Sequence, residues 1–362
     1  MPSPMPAGQP LCFRPIFLLA LALAGLLLIG IPPAPLADEP PPLAADLVVD
    51  GQAIDLTQEK YRQLFDELTH KYQFSADTLL SIFQGLTINR KILVLMDKQG
   101  EAKPYYSYAP TFITPDNIRT GKEKLQQYKS LLDRIETTFK VNREVIVAIW
   151  GVETRYGIRR GNYDLLQTLN TLFAAYPRRS DFYRKQLIDF LLLCREEGLD
   201  PHGIKGSAAG AFGQMQFIPS SFRSYAVSFD GDTKRDVWNS VPDVLASIAN
   251  YLKQANWVFN TPLYADLGYQ LNDPQLIAAV DKGRAERRPL NLLRQSQGLE
   301  LPPSPQDRAV TIISLDLEPG GLYTKRYVAG YPNFQAITAW NRSNRYAMVI
   351  CELAEALAAD SP

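Results

Sequence analysis

Histidine is almost absent from this chain: His70 and His202 are the only two among 362 residues. A zinc site built on several histidines is therefore excluded, and a Ser/His/Asp triad would have to use one of these two without the GxSxG elbow that often carries the serine. His202, in DPHGIKG, reads as a loop residue. Cysteine is nearly as scarce, with Cys12, Cys194 and Cys351. Cys12 falls in an N-terminal apolar stretch. The other two sit in apolar helical patterns, which predicts buried free thiols in preference to a disulfide, because a bridge demands close and specific geometry. An excess of either charge is also missing, since 38 Lys and Arg balance 38 Asp and Glu; no nucleic-acid partner is expected without a basic excess. Nor is there a phosphate-binding glycine loop: GSAAGAFG lacks the lysine and the preceding strand that such a loop requires.

Long hydrophobic runs are missing too, with one exception. IFLLALALAGLLLIGI, residues 16–31, is 16 residues long, short for a bilayer that asks for about 20 in a helix. It follows a single positive charge, Arg14, and leads through Pro and Ala to Ala37. Residues 1–37 therefore read as a secretory signal and imply export. Pro35 blurs the cleavage site, so an uncleaved N-terminal anchor stays open as the alternative. Leu26 follows LALAG where a lipoprotein signal needs cysteine, which argues against lipid attachment. Residues 38–55, opening DEPPP, are expected to form a Pro-rich linker.

Beyond it the chain is 46% hydrophobic and 21% charged overall, the balance of a folded globular protein. Apolar residues recur at helical spacing over 56–73, as in Tyr61, Leu64, Phe65 and Leu68, and over 76–85, with Thr57 and Ser75 as caps. After the Tyr- and Pro-rich PYYSYAPTFITP, one long amphipathic helix is expected over ITPDNIRTGKEKLQQYKSLLDRIETTF. Further helices are expected over 143–156, 163–174, 180–197, 220–225, 241–254 and 344–358. Strand-like material comes only late, in AVTIISLDL and LYTKRYV, so the fold class is α+β, mainly α.

VNREVIVAIWGVETRYG is the most apolar of these helices, with Asn142 placed to cap it and Gly157 to end it. Val and Ile are indifferent helix formers, so packing must hold it, and it is expected at the centre of the fold. Glu153 shares a face with Ile146, Ile149 and Trp150. Two readings are open. Desolvation at the negative end of a helix would raise the carboxyl pKa toward that of a general acid; a buried ion pair with Arg155, Arg159 or Arg160 would lower it. A second stretch, GIKGSAAGAFGQMQFIPSSF, offers a closely approachable backbone and the neutral donors and acceptors Ser207, Gln214 and Gln216, suited to hydroxyls and amides. Taken alone it could equally be a tight helix contact.

In order, the chain carries GVETRYG, YPRRSDFY, IKGSAAGAFGQMQFIPSSF, an acidic loop ending in Trp, IANYLKQANW and YPNFQAITAWNRSNRYA. This combination resembles the lytic murein transglycosylase B family of lysozyme-like enzymes, over about residues 57–358. The resemblance implies a lysozyme-like core with a helical lobe and a small β lobe: a helical lobe over 56–140, a catalytic core over 141–260 completed by 326–358, and a small lobe with the β element over 261–325. It also implies cleavage of the β-1,4 bond between N-acetylmuramic acid and N-acetylglucosamine in peptidoglycan, leaving a 1,6-anhydro end. Carried over by position, Glu153 is the acid/base, while Ser207, Gln216, Tyr251, Asn341 and Tyr346 line the subsites. Arg178 and Arg179 reach carboxylates of the glycan, and Trp340 stands where the family motif has tyrosine. The chemistry requires no cofactor. A monomer in the periplasm or cell envelope is expected, with peptidoglycan strands as substrate and cell-wall synthesis or division proteins as partners.

The acidic loop SFDGDTKRDVWN places Ser228, Asp230, Asp232, Asp236 and Asn239, with the Lys234 carbonyl, at calcium-ligand spacing. Serine at the first position, threonine at the sixth and asparagine at the twelfth depart from the full pattern, so weak structural calcium is weighed against a helix-capping turn. Two alternatives to transglycosylation are also carried: a muramidase-type hydrolase using Glu196 or Glu197 as second carboxylate, and a non-catalytic peptidoglycan-binding scaffold.

Overall fold

The computed structural model describes residues 43–98, 103–318 and 324–359; the N-terminal apolar segment, Cys12 and the first part of the expected linker lie outside them. The rest of that linker is docked. Ala44 and Ala45 are buried, the Ala45 carbonyl accepts from Arg90 Nε at 2.7 Å, and its N–H donates to Asp97 Oδ2 at 3.1 Å. Small side chains let this turn sit close against a helix, which the Pro-rich composition concealed.

Six helices come first: α1 (Glu59–His70), α2 (Ala76–Phe83), α3 (Arg90–Lys98), the single turn α4 (Tyr105–Tyr108), α5 (Pro115–Gln127) and α6 (Lys129–Phe139). Ser75 caps α2 by accepting from Thr78 N at 3.1 Å. Thr57 does not cap α1; its N–H and hydroxyl both donate to Asp55 Oδ1, and Gln58 precedes the helix. The single long helix expected beyond residue 112 is two. Tyr128 leaves helical geometry at φ −105°, ψ 22°, and its ring packs 6.1 Å from Trp150, so a packing demand breaks a run that periodicity alone continues.

The centre of the molecule is α7 (Arg143–Thr154), flanked by α5, α6 and helices from later in the chain. Asn142 stands at its start but does not cap it: its Oδ1 accepts from Trp257 Nε1 and Asn260 N, while Arg143 N donates to Glu136 Oε1 at 2.8 Å. The chain continues through β1 (Tyr163–Asp164), α8 (Leu165–Ala175), α9 (Ser180–Glu197), β2 (Lys205–Gly206), α10 (Pro219–Tyr225) and α11 (Val241–Gln254). β1 and β2 form a two-stranded antiparallel pair. Cys194 in α9 is buried and free.

β3 (Tyr264–Gly268), α12 (Pro274–Ala279), α13 (Leu290–Gln297), β4 (Thr311–Asp316) and β5 (Lys325–Gly330) follow, then α14 (Pro332–Trp340) and α15 (Asn344–Ala358), which holds the buried free Cys351 and packs along α7. The three long strands form an antiparallel sheet in the order β3-β5-β4, so the sheet runs on beyond residue 325 to Gly330. Alternation along the strands sends Ile312 and Ala329 into a small core with Leu267, Leu276 and Leu293, and sends Ile313, Leu315 and Val328 into the main core. Burial on both faces explains why β4 reads as a nearly continuous apolar run.

Gly161 precedes β1 at φ +85°, and a methyl group there would collide with the Gly206 carbonyl of β2. Gly161→Ala is expected to destabilise the protein by roughly 2 kcal/mol, read as a lowered thermal midpoint.

Candidate active site

Glu153 closes the last turn of α7. Beyond it the chain reverses through two non-glycine residues in left-handed conformation, Arg155 (φ 50°) and Tyr156 (φ 58°), and then Gly157 (φ 89°). Gly157 is required: a methyl group there would strike Gln214 Oε1. That amide ties the turn down, accepting from Trp150 Nε1 at 2.9 Å and donating to the Trp238 carbonyl at 2.9 Å. Thr154 completes the clasp by donating to the Gln214 carbonyl at 2.6 Å and accepting from Gly157 N at 2.9 Å. Helix end and glycine-rich loop are thus one rigid unit.

The carboxyl of Glu153 is held by two neutral donors on one oxygen. Tyr346 Oη donates to Oε1 at 2.6 Å from α15, and Trp340 Nε1 donates to the same atom at 2.9 Å from the end of α14. Among the described residues no donor reaches Oε2 and no cation pairs with the group. Arg155 is exposed, and Arg160 Nη1 donates to the Trp238 carbonyl at 2.6 Å, so the buried ion pair left open above does not form. Burial pushes the Glu153 carboxyl up from 4.5 to about 7, opposed by the Tyr346 and Trp340 hydrogen bonds. The Tyr346 phenol is itself raised well above its ordinary value, by burial first and then by Glu153, which keeps it a donor. Tyr108, within the Tyr- and Pro-rich loop, is pushed up to about 12 by burial and then by the Glu153 charge. Nothing in the residue pattern marked Tyr108 beyond its aromatic company.

Around this carboxyl lies an aromatic wall. Trp340 packs 5.0 Å from Phe217 and 4.8 Å from Tyr251, which in turn lies 4.4 Å from Tyr225 and donates to the Ala339 carbonyl at 2.6 Å. On the other side Glu153 borders a cavity of about 460 Å³ lined by Thr114, Asn117, Val152 and Arg159. Ser207 accepts from Ala211 N at 3.1 Å, and its hydroxyl hydrogen is free to donate. Gln216, at φ 54°, donates to the Arg160 and Gly213 carbonyls, which leaves its oxygen as a free acceptor. Asn341 is exposed just beyond α14, and its side chain has no partner among the described residues. Arg178 and Arg179 do not join this group. Arg178 reaches Asp97 at 3.4 Å, and Arg179 stacks 4.2 Å over Phe182.

The acidic loop is a capped turn. Asp230 accepts from Ser240 Oγ, Asp232 from Lys234 N, Asp236 from the backbone N–H groups of Trp238 and Asn239, and Ser228 donates to the Asp232 carbonyl. Asn239 turns its amide N–H to Asp236, offering no ligand oxygen there. Among the described residues no three metal-ligating acids converge. The turn is anchored by Asp243, fully buried in α11, which accepts from Phe229 N at 2.7 Å and Asp236 N at 2.9 Å. Carboxylates that accept one hydrogen bond keep lone pairs for a cation, and Asp232 Oδ2 has no protein donor among the described residues, so the capped turn leaves room for weak structural calcium.

A raised, unpaired carboxyl beside aromatic rings, in a mainly α fold with a small β part, fits a glycan-cleaving enzyme of lysozyme-like architecture. The family model described as a transglycosylase SLT domain matches residues 57–355. Membrane-bound lytic murein transglycosylase B of Escherichia coli is 34% identical over 307 residues, covering 82% of each chain. Among solved structures, soluble lytic transglycosylase SltB1 from Pseudomonas aeruginosa is 36% identical with a TM-score of 0.72, covering 82% of this chain and 97% of that one. The Escherichia coli lytic transglycosylase Slt35 in complex with calcium is 34% identical with a TM-score of 0.74, covering 85% and 96%. The chain belongs to the lytic murein transglycosylase family and is a glycan-cleaving lyase of peptidoglycan.

Two outcomes follow from this geometry. Trp340→Phe keeps the ring but removes a donor that favours the carboxylate, so the alkaline limb of the pH dependence of glycan cleavage is expected to move upward by up to about one unit. Millimolar calcium is expected to raise the thermal midpoint by no more than about 2 °C, as weak binding to an already capped turn demands.

Proposed function

We propose that Glu153 alone serves as acid and then base in the cleavage. Its protonated carboxyl gives a proton to the glycosidic oxygen as the bond to the anomeric carbon breaks. The resulting carboxylate takes the proton of the C6 hydroxyl as that oxygen closes on the same carbon, leaving the 1,6-anhydro end. The substrate supplies its own nucleophile, so one carboxylate suffices where most glycosidases use two. The observation that carries this reading is the doubly held Oε1 with Oε2 free of any protein partner among the described residues. Glu196 and Glu197, the candidates for a second carboxylate, are paired with Arg223 and Arg235 on another face of the fold's helices, which weighs against the hydrolase alternative.

In this reading Tyr251 and Trp340 form the stacking surface, backed by the buried Phe217 ring, and Ser207, Gln216, Asn341 and Tyr346 meet the hydroxyl and acetamido groups of the catalytic subsites. Arg178 and Arg179 act farther along the strand or on its peptides. Residues 56–140, the core of 141–260 with 326–358, and the lobe of 261–325 wall the groove. The leader over 1–37 takes the enzyme to the cell envelope, as a cleaved signal or as an anchor, where it works as a monomer beside wall-building or division proteins.

Glu153→Gln is expected to lower turnover by ~10³-fold while retaining the fold. Mass analysis of digested sacculi should show wild-type ends one water lighter than hydrolytic ones; unchanged release by the variant would defeat the assignment. The wild-type rate should fall as pH rises through about 7, where Glu153 loses its proton.

A further inference from the structure

A second cavity, of about 400 Å³, opens between β4, the Gly283–Ala285 turn and α14. Its floor is apolar, with Ile312, Ile313 and Phe334, while its polar wall is cationic. Arg284 is fixed there: Nε donates to Thr338 Oγ1 at 2.8 Å and Nη2 to the Gln335 carbonyl, leaving Nη1 without a protein partner. Arg342 also lines the cavity and has no ion pair or hydrogen bond among the described residues. Gln335, 8% exposed, stands in the same wall with its amide nitrogen buried and unpartnered. No acid lines the space. Asp281, outside the lining, accepts from Ser314 and from Asn344 Nδ2, and no carboxylate pairs with Arg284 or Arg342 among the described residues.

Two unneutralised guanidinium groups near one another repel, and a ligand bearing a carboxylate would relieve that. Guanidinium is suited to that group because its fork can donate two parallel hydrogen bonds. The cavity adjoins the aromatic wall along the chain. Ala339 lines it, its carbonyl accepts from Tyr251, and the next residue is Trp340, which donates to Glu153. A strand on the Trp340 and Tyr251 rings passes the end of α14, where Arg342 follows two residues after Trp340.

The geometry points to a carboxylate-binding subsite at Arg284 and Arg342, which recognises an acidic substituent of the glycan strand. This rests on the reading of Glu153 and the aromatic wall as the cleavage centre. Peptidoglycan offers the carboxylate from two sources: the lactyl group of a muramic acid stripped of its peptide, and the carboxylates of the attached peptide.

Titration of three probes into the uncleaving full-length Glu153→Gln protein tests this: a peptide-bearing disaccharide, the same disaccharide without peptide, and a chitin oligosaccharide, which has no carboxylate. Adding Arg342→Gln is expected to weaken binding of at least one carboxylate-bearing probe by about tenfold, with the chitin oligosaccharide changed less than twofold. Arg342 is exposed and unpaired, so its loss leaves the fold intact. Loss confined to the peptide-bearing probe assigns the subsite to the peptide, and loss with the stripped probe assigns it to the lactyl group. Equal affinities before and after Arg342→Gln, or an equal loss for the chitin oligosaccharide, overturn the subsite and leave the cleavage reading standing. Failure of all three probes to bind the Glu153→Gln parent overturns both.

Discussion

A carboxyl without a counter-ion is the feature on which the site depends. Burial disfavours the charge on Glu153, and the two hydrogen bonds from Tyr346 and Trp340 offset that penalty only in part. The folded pKa of about 7 exceeds the ordinary 4.5, so the folded state holds the proton more tightly than the unfolded chain. Stability is accordingly lost as pH rises from 4.5 toward 7, and none of it returns above that. The fold tolerates this because α7 is locked by the Gln214 clasp and packed along α15.

Tyrosine and tryptophan differ in what they do for such an acid. The Tyr346 phenol is kept protonated by its burial beside a carboxyl and acts as donor to Oε1. An indole N–H is a donor only. Trp340, where the family motif has tyrosine, therefore gives the carboxyl a second permanent donor. At the end of α14, Trp340 donates to the acid while its chain neighbours Ala339 and Arg342 line the cationic cavity.

Much of this was legible from residue pattern. The bounds of α9, α11 and α15 agree with those expected from apolar spacing, because each carries a broad buried stripe and ends at a cap or an abrupt change in composition. Glu153 could be singled out as a carboxylate on an apolar face. What was not legible depends on contacts between distant segments. The break at Tyr128 comes from packing on Trp150; the failure of Asn142 to cap comes from Trp257 and Asn260. β3 was invisible because YADLG has almost no strand propensity and is held by pairing with β5. The acidic loop forms the capping turn weighed from its sequence, but its anchor, Asp243, lies outside the quoted loop.

The most direct test is the titration of the Glu153 carboxyl itself, by carbon-detected NMR of glutamate-labelled protein or by difference infrared spectroscopy against Glu153→Gln. The account predicts a carboxyl that remains protonated well above 4.5 and loses its proton near pH 7. A Glu153 signal fully ionised at pH 5 would mean that a cation or further donors reach the group in solution, and would contradict the lone-acid mechanism.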